Sequence, residues 1–324
     1  MQEELALEQK KEIKKDMNSL GKAIMLYTVS LFGVFIVISI GVSISIAMKY
    51  SNNEKLVEKM TEEVVNNLAN NGWSYILSVV VGLIFIYIYR KNKLFTEDLT
   101  ETNKKMDLKT FITMFVILMA PQFIAVILQV LLESGLNSIG FSIMGQIEEA
   151  TSGSQTFSMF LYVAFVGPII EEVVFRGAVL GSLKKYGKGF AIIISAVLFG
   201  IMHANLIQSI FAIIIGLVLG YVRTEYSIKW AILLHIINNL ISEVMSYMSY
   251  GGNDFLETLI SGGLSAFIFV LSLLILNSKK EELKNYIKIN KPVKKSCSYA
   301  LTRFWILAFI LLNTLIAIGG IEKI

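Results

Sequence analysis

Apolar residues run in long stretches along this chain, separated by short polar segments rich in lysine. Nine stretches stand out: 23–48, 73–89, 111–132, 157–183, 190–204, 206–222, 230–248, 258–276 and 304–321. Most of them approach or exceed the roughly 20 residues that a helix needs to cross a bilayer. Backbone polar groups in lipid must be bonded within their own segment, so these stretches are predicted to be helices. The weak alternation of a membrane β-barrel is absent. The predicted fold class is therefore all-α, a polytopic transmembrane helical bundle of eight to nine helices. The count depends on stretches 190–204 and 206–222, which read as a tight hairpin or as one broken element. Segments 51–72 and 135–149 carry apolar residues at helical spacing and are predicted to lie along the membrane interface.

The lysines set a direction. They crowd the polar segments before the first stretch and after the second, fourth, sixth and eighth, and the segments after the third, fifth and seventh carry none. The excess marks the cytoplasmic side. The N-terminus is predicted inside and the C-terminus outside, in a multi-pass protein of the cell (plasma) membrane. The first apolar run is too long for a signal-peptide core, and no small-residue cleavage site follows it.

Composition agrees. Of 324 residues 55% are hydrophobic and 17% are charged, against about 25% charged in soluble domains. The net charge of +4 is spread over the loops, which speaks to orientation and not to nucleic acid. One cysteine, Cys297, excludes an intramolecular disulfide.

Charged residues inside apolar stretches are costly and mark function by default. The fourth stretch holds two adjacent carboxylates, Glu171 and Glu172, followed by Arg176. Pro168 removes a backbone donor, so the carbonyl of Ala164 loses its partner and a kink is predicted just before the pair. Glu172 and Arg176 are four apart and predicted to pair on one face. Glu171 is turned about 100° away and lacks that partner, as a general base requires. The chain's two histidines lie in later stretches: His203, four residues after Phe199, and His235, four before Asn239. Three stretches thus contribute polar groups, and one shared site accounts for them. By depth, Glu171 and His203 match at roughly 20 Å from their flanking lysines, whereas His235 lies only about 9 Å from Lys229. Either the seventh stretch tilts or its preceding loop dips. Glu243 continues the face of His235 and Asn239 by one turn and either lines the cavity or caps the outer end in solvent, the second being favoured. Arg223 and Lys229 read as membrane-surface anchors, and Phe199 as packing.

The order E-E-x-x-x-R, F-x-x-x-H and H-x-x-x-N on successive membrane helices resembles the CAAX protease and bacteriocin-processing family of intramembrane proteases (CPBP, or Abi). The resemblance covers about residues 156–250. It implies a protease core over 156–250, preceded by a membrane region over 1–155 with three transmembrane helices and followed by a C-terminal helix pair over 251–324. It implies a catalytic set of Glu171, His203, Glu172, His235, Asn239 and Arg176. Glu171, assisted by His203, would activate water, and His235 and Asn239 would hold the water or the oxyanion. Glu172 with Arg176 would brace the site. The family is described both as metallo-dependent and as glutamate-based, and the reading adopted is metal-free. Two histidines and a glutamate are also donors that zinc accepts, though not in the compact H-E-x-x-H arrangement.

The resemblance implies an intramembrane endopeptidase acting on a membrane-associated or lipid-modified peptide, in peptide maturation or bacteriocin self-immunity. The alternative is a non-catalytic membrane scaffold or regulator with the same fold and a protein partner in the membrane. A proton-coupled transporter would show inverted repeats, and none is visible.

Overall fold

The computed structural model describes residues 2–249 and 254–324, with side chains for 8–68, 70–247 and 262–324. The boundary expected between residues 250 and 251 falls outside them. Helices dominate throughout, as the apolar stretches require. α1 (Gln2–Lys49) is followed by α2 (Glu54–Ala69) and α3 (Gly72–Arg90). A looping segment with one π turn at Leu94–Asp98 leads to α4 (Leu108–Met119), α5 (Pro121–Asn137) and α6 (Met144–Thr151). α7 (Phe157–Tyr186) is one membrane-length element made of α and π turns. It precedes α8 (Lys188–Met202), α9 (Leu206–Glu225) and α10 (Ile228–Ser249). α11 (Asp254–Ser278), α12 (Lys280–Ile289), α13 (Ser296–Leu301) and α14 (Phe304–Gly319) complete the chain. The strands are two short ones, β1 (Phe141–Ser142) and β2 (Glu322–Lys323), paired antiparallel with Phe141 opposite Lys323.

Among the described residues six helices are long and apolar enough to cross a membrane, or seven if the bent pair α11–α12 counts as one span. The protein is a multi-pass helical membrane protein, with fewer full-length spans than the eight to nine predicted. The shortfall lies in α8 and α14, of 15 and 16 residues. At 1.5 Å per residue they reach about 22 and 24 Å, short of a hydrocarbon core of roughly 30 Å. Side chains on the spans face outward as lipid-facing groups do. Val37 is 70% and Met48 72% exposed, an exposure that an apolar medium tolerates.

The core gathers around α7. Met17, Leu20 and Ile24 of α1 pack with Phe175 and Val179 of α7, Phe190 and Phe199 of α8, and Phe309 of α14. A second cluster joins Leu118 of α4, Leu219 of α9 and Leu234 of α10. The third predicted stretch is broken at Pro121, which stands at the first turn of α5, where its missing N–H costs no hydrogen bond. Segment 51–72 is largely the amphipathic helix α2. Segment 135–149 is not an interfacial helix. It contains the end of α5, β1 and the start of α6, and Ile143 and Gln146 are buried.

Candidate active site

The two carboxylates sit in an interrupted helix. α7 widens into a π turn at Tyr162–Val166, returns to α geometry at Gly167–Glu172 and widens again at Val173–Val179. The first widening lies just before Pro168, which withholds a donor, and stands where a kink is expected. A side chain supplies a donor one residue before the expected Ala164: Asn239 Nδ2 donates to the carbonyl of Val163 at 2.9 Å. In the second widening Ser195 Oγ of α8 donates to the carbonyl of Phe175 at 2.7 Å. π turns recur at functional sites because they re-aim side chains.

Glu172 and Arg176 pair as the spacing predicts, with Nη1 3.1 Å from Oε1 and both side chains fully buried. The same Oε1 faces His235 Nδ1 at 3.0 Å. A carboxylate accepts only, so Nδ1 carries the proton and Nε2 is turned away. His235 Nε2 lies 3.7 Å from Glu171 Oε2. That gap is too long for a hydrogen bond and leaves both atoms able to reach one water. Glu171 keeps 21% of its side chain exposed, whereas Glu172 keeps none.

His203 caps the C-terminal end of α8, in the turn that joins α8 to α9. The two stretches form a hairpin, and Ala204 makes its turn with φ of 49°, in the left-handed region. His203 Nδ1 lies 2.9 Å from the carbonyl of Phe199. A carbonyl accepts only, so Nε2 is left as the acceptor. His203 is close enough to Glu171 and His235 to interact with both electrostatically.

Phe199 does more than fill space. His203 and His235 meet its ring edge-on, with centroids at 4.9 and 5.8 Å. The guanidinium of Arg176 lies 4.2 Å from the ring centroid. One aromatic ring thus touches three site residues, and its conjunction with them is what the F-x-x-x-H spacing conceals.

The depth mismatch of His235 is resolved by the loop. Ser227 and Ile228 are buried, and Thr102 bridges to Ser227 across them. The start of α10 is therefore sunk beneath segment 101–104. Asn239 reaches the site, but its amide is occupied: Nδ2 serves Val163, and Oδ1 accepts from Asn238 Nδ2 at 3.1 Å. Glu243 is buried, not in solvent, and accepts from the backbone N–H of Ser154 at 3.1 Å. Arg223 is also no surface anchor. It is fully buried and donates to the carbonyl of Asp98 at 2.6 Å and to Glu101 at 3.0 Å. Lys229 remains exposed.

A cavity of about 290 Å³ opens beside His203, lined also by Phe32, Gln146, Asn205, Gln208 and Ile316. Gln146 of α6 closes one wall. It donates to the carbonyl of Ala317, accepts from the N–H of Leu206 and, through its own carbonyl, accepts from Asn205. Sequence patterning gave no signal for it, since a lone glutamine in an amphipathic segment reads as surface.

His235 Nδ1 is engaged by Glu172 and His203 Nδ1 by Phe199, which leaves both Nε2 atoms free, as in histidines that ligate a metal. Among the described residues no three His, Cys, Asp or Glu side chains converge as a metal-holding group.

Residues 153–241 match the family model described as Type II CAAX prenyl endopeptidase Rce1-like. Over 89 residues the chain is 33% identical to the Bacillus subtilis (strain 168) protein named "Putative membrane peptidase YdiL". That alignment covers 27% of this chain and 36% of the relative, so the chain spans about a third of the length of the curated relative it matches. No solved structure matches. The segment that holds Glu171, His203 and His235 is thus a domain similar to the Rce1-like type II CAAX prenyl endopeptidases.

Proposed function

We propose that this chain is an intramembrane endopeptidase, lying in the cell membrane with its N-terminus in the cytoplasm. It hydrolyses a peptide bond in a membrane-associated or lipid-modified peptide. The observation that carries the reading is the contrast within one pair of neighbours. Glu172 is consumed by Arg176 and His235, whereas Glu171 is partly open and faces His235 Nε2 across 3.7 Å.

In the proposed reaction a water held between Glu171 and His235 attacks the scissile carbonyl. Glu171 takes one proton from that water as the new C–O bond forms. The carbonyl electrons move onto oxygen as the tetrahedral intermediate forms. Glu172, bonded to Nδ1 of His235, holds the ring with Nε2 toward Glu171 and the water. Collapse of the intermediate breaks the C–N bond, and the proton on Glu171 passes to the leaving amine. His203 offers Nε2 as a second partner at the wall of the cavity, which supplies a route for water. Asn239 serves by holding the first π turn through Val163. Arg176 holds Glu172. No step is routed through a metal.

The test is cleavage of membrane-associated peptides by the purified protein beside Glu171→Gln and His203→Ala, with and without a zinc chelator. Glu171→Gln is expected to lower the rate by at least about 10²-fold, and the chelator to leave it unchanged. Cleavage by Glu171→Gln at the wild-type rate would sink the assignment. Inhibition by the chelator that added zinc reverses would replace it with a metal mechanism. The other reading, a non-catalytic scaffold, draws on the fully buried Glu172–Arg176 pair of α7, which through His235 and Phe199 ties that helix to α10 and α8 whether or not chemistry follows. It predicts no cleavage by any form.

A further inference from the structure

α12 departs from α11 by a bend of 69°. Half of its ten residues are charged, so it does not belong in the hydrocarbon core. It is nonetheless amphipathic. At 100° per residue Leu283 and Ile287 share one side, and Lys280, Lys284 and Lys288 share the side next to it.

Its orientation is fixed by contacts with the protein. Tyr286 donates its hydroxyl to Glu225 Oε1 of α9 at 3.1 Å. The carbonyl of Asn290 comes within 1.9 Å of where a Cβ on Gly189 would stand, so the end of α12 rests on the start of α8 because that residue is glycine. With Tyr286 turned inward, Leu283 and Ile287 remain 42% and 59% exposed, and Val293 beyond them 53%. Segment 279–295 carries seven lysines and two glutamates. Two of those lysines pair with the glutamates, Lys279 with Glu282 and Lys284 with Glu281. Lys280, Lys288, Lys291, Lys294 and Lys295 face no carboxylate among the described residues.

A wholly solvated helix would explain the lysines but not the outward Leu283 and Ile287. A membrane span would explain the apolar side chains but not the lysines. We propose that α12 and the segment through Lys295 form an interfacial platform that binds anionic phospholipid headgroups. The apolar side enters the acyl boundary and the lysines meet phosphate. The bend places α12 along the membrane surface at the lysine-rich end, and its complementarity is to negative charge. This proposal stands independently of the peptidase reading.

The test reconstitutes the full chain in phosphatidylcholine vesicles. Electron spin resonance then measures how strongly spin-labelled phosphatidylglycerol is preferred over spin-labelled phosphatidylcholine at the protein surface. At low salt the wild type is expected to prefer phosphatidylglycerol several-fold. The combined variant Lys280→Gln, Lys288→Gln, Lys291→Gln, Lys294→Gln is expected to bring that ratio down to about one. Salt at 1 M, where screening acts within about 3 Å, should remove it from the wild type. A control, Lys91→Gln, Lys93→Gln, Lys105→Gln, Lys109→Gln, removes the same charge from exposed positions between the end of α3 and the first turn of α4 and should keep the preference. Absence of preference in the wild type, its survival in the α12 variant, or an equal loss in the loop control would overturn the proposal.

Discussion

Glu171 and Glu172 are neighbours whose surroundings differ in kind. Glu172 is fully buried between a guanidinium and an imidazole. Glu171 is partly exposed, with the imidazole beyond hydrogen-bond length. Glu172→Gln leaves Arg176 buried without its countercharge, and losing one partner of a buried pair costs about 3–5 kcal/mol. The variant is expected to unfold at markedly lower temperature in detergent. Glu171→Gln touches no such pair, so its stability is expected to stay within about 0.5 kcal/mol of wild type while cleavage is lost. Thermal melts beside cleavage rates separate the two; equal destabilisation by both would refute the division of roles. Much of this was legible from spacing, because the helical period alone separates Glu171 from Glu172 and joins Glu172 to Arg176. The bond from Glu172 to His235 was not, since it links residues 63 apart in sequence and depends on where α10 begins. The occupation of Asn239 by Val163 was hidden for a similar reason: it exists only because α7 widens into a π turn.

At the scale of elements, the α8–α9 hairpin places His203 and its geometry rests on Gly200. A Cβ there would stand 2.3 Å from Ile213 Cγ1 and 2.5 Å from the carbonyl of Ser209. Neither distance is tolerable and the second involves backbone, so Gly200→Ala must push the two helices apart. The expected cost is about 1–3 kcal/mol, as for overpacked cores. The variant should also cleave more slowly, because His203 lies three residues further along in the turn. A wild-type melt for Gly200→Ala would show that the hairpin has slack. Ser195→Ala removes the donor to Phe175 in the second π turn and is expected to cost about 1–3 kcal/mol, since a buried carbonyl loses its partner. Apolar periodicity revealed the two helices but not their relation. Both are apolar all round, and only the close approach at Gly200 distinguishes a hairpin from a broken span. The break at Pro121 is different, since a proline inside an apolar run carries its own signal.

At the scale of the whole molecule, the lysine-rich end is not a loose fringe of anchors but a closed network. Arg90 holds Asp98 through two bonds of 2.7 Å. Arg223 reaches Asp98 and Glu101, Lys184 pairs with Glu101, and Lys104 and Lys188 both pair with Glu225. The segment between α3 and α4 is thereby clipped to the ends of α7, α8 and α9, and it covers the buried loop from which α10 starts. Lysine counting suggests the sidedness of this end but not its closure, because a count treats the buried Arg223 and the exposed Lys229 alike. The network makes the clip sensitive to acid. Partial burial pushes the Glu101 carboxyl up, but the bonds and charges of Lys184 and Arg223 outweigh it and hold that carboxyl below its ordinary value. A group depressed in the folded state contributes stability that is fully present above its unfolded value, about 4.3 for glutamate. That contribution fades as pH falls through the lower, folded value. Glu101→Gln is therefore expected to lower the melting temperature at pH 7, and the difference from wild type should shrink progressively as pH falls below about 4.3. A difference independent of pH would mean that Glu101 acts by shape and not by charge, and the clip would then hold through Asp98 and Glu225. A difference that vanishes in acid makes the charged network the latch that seats α10, and with it His235, at the depth of Glu171.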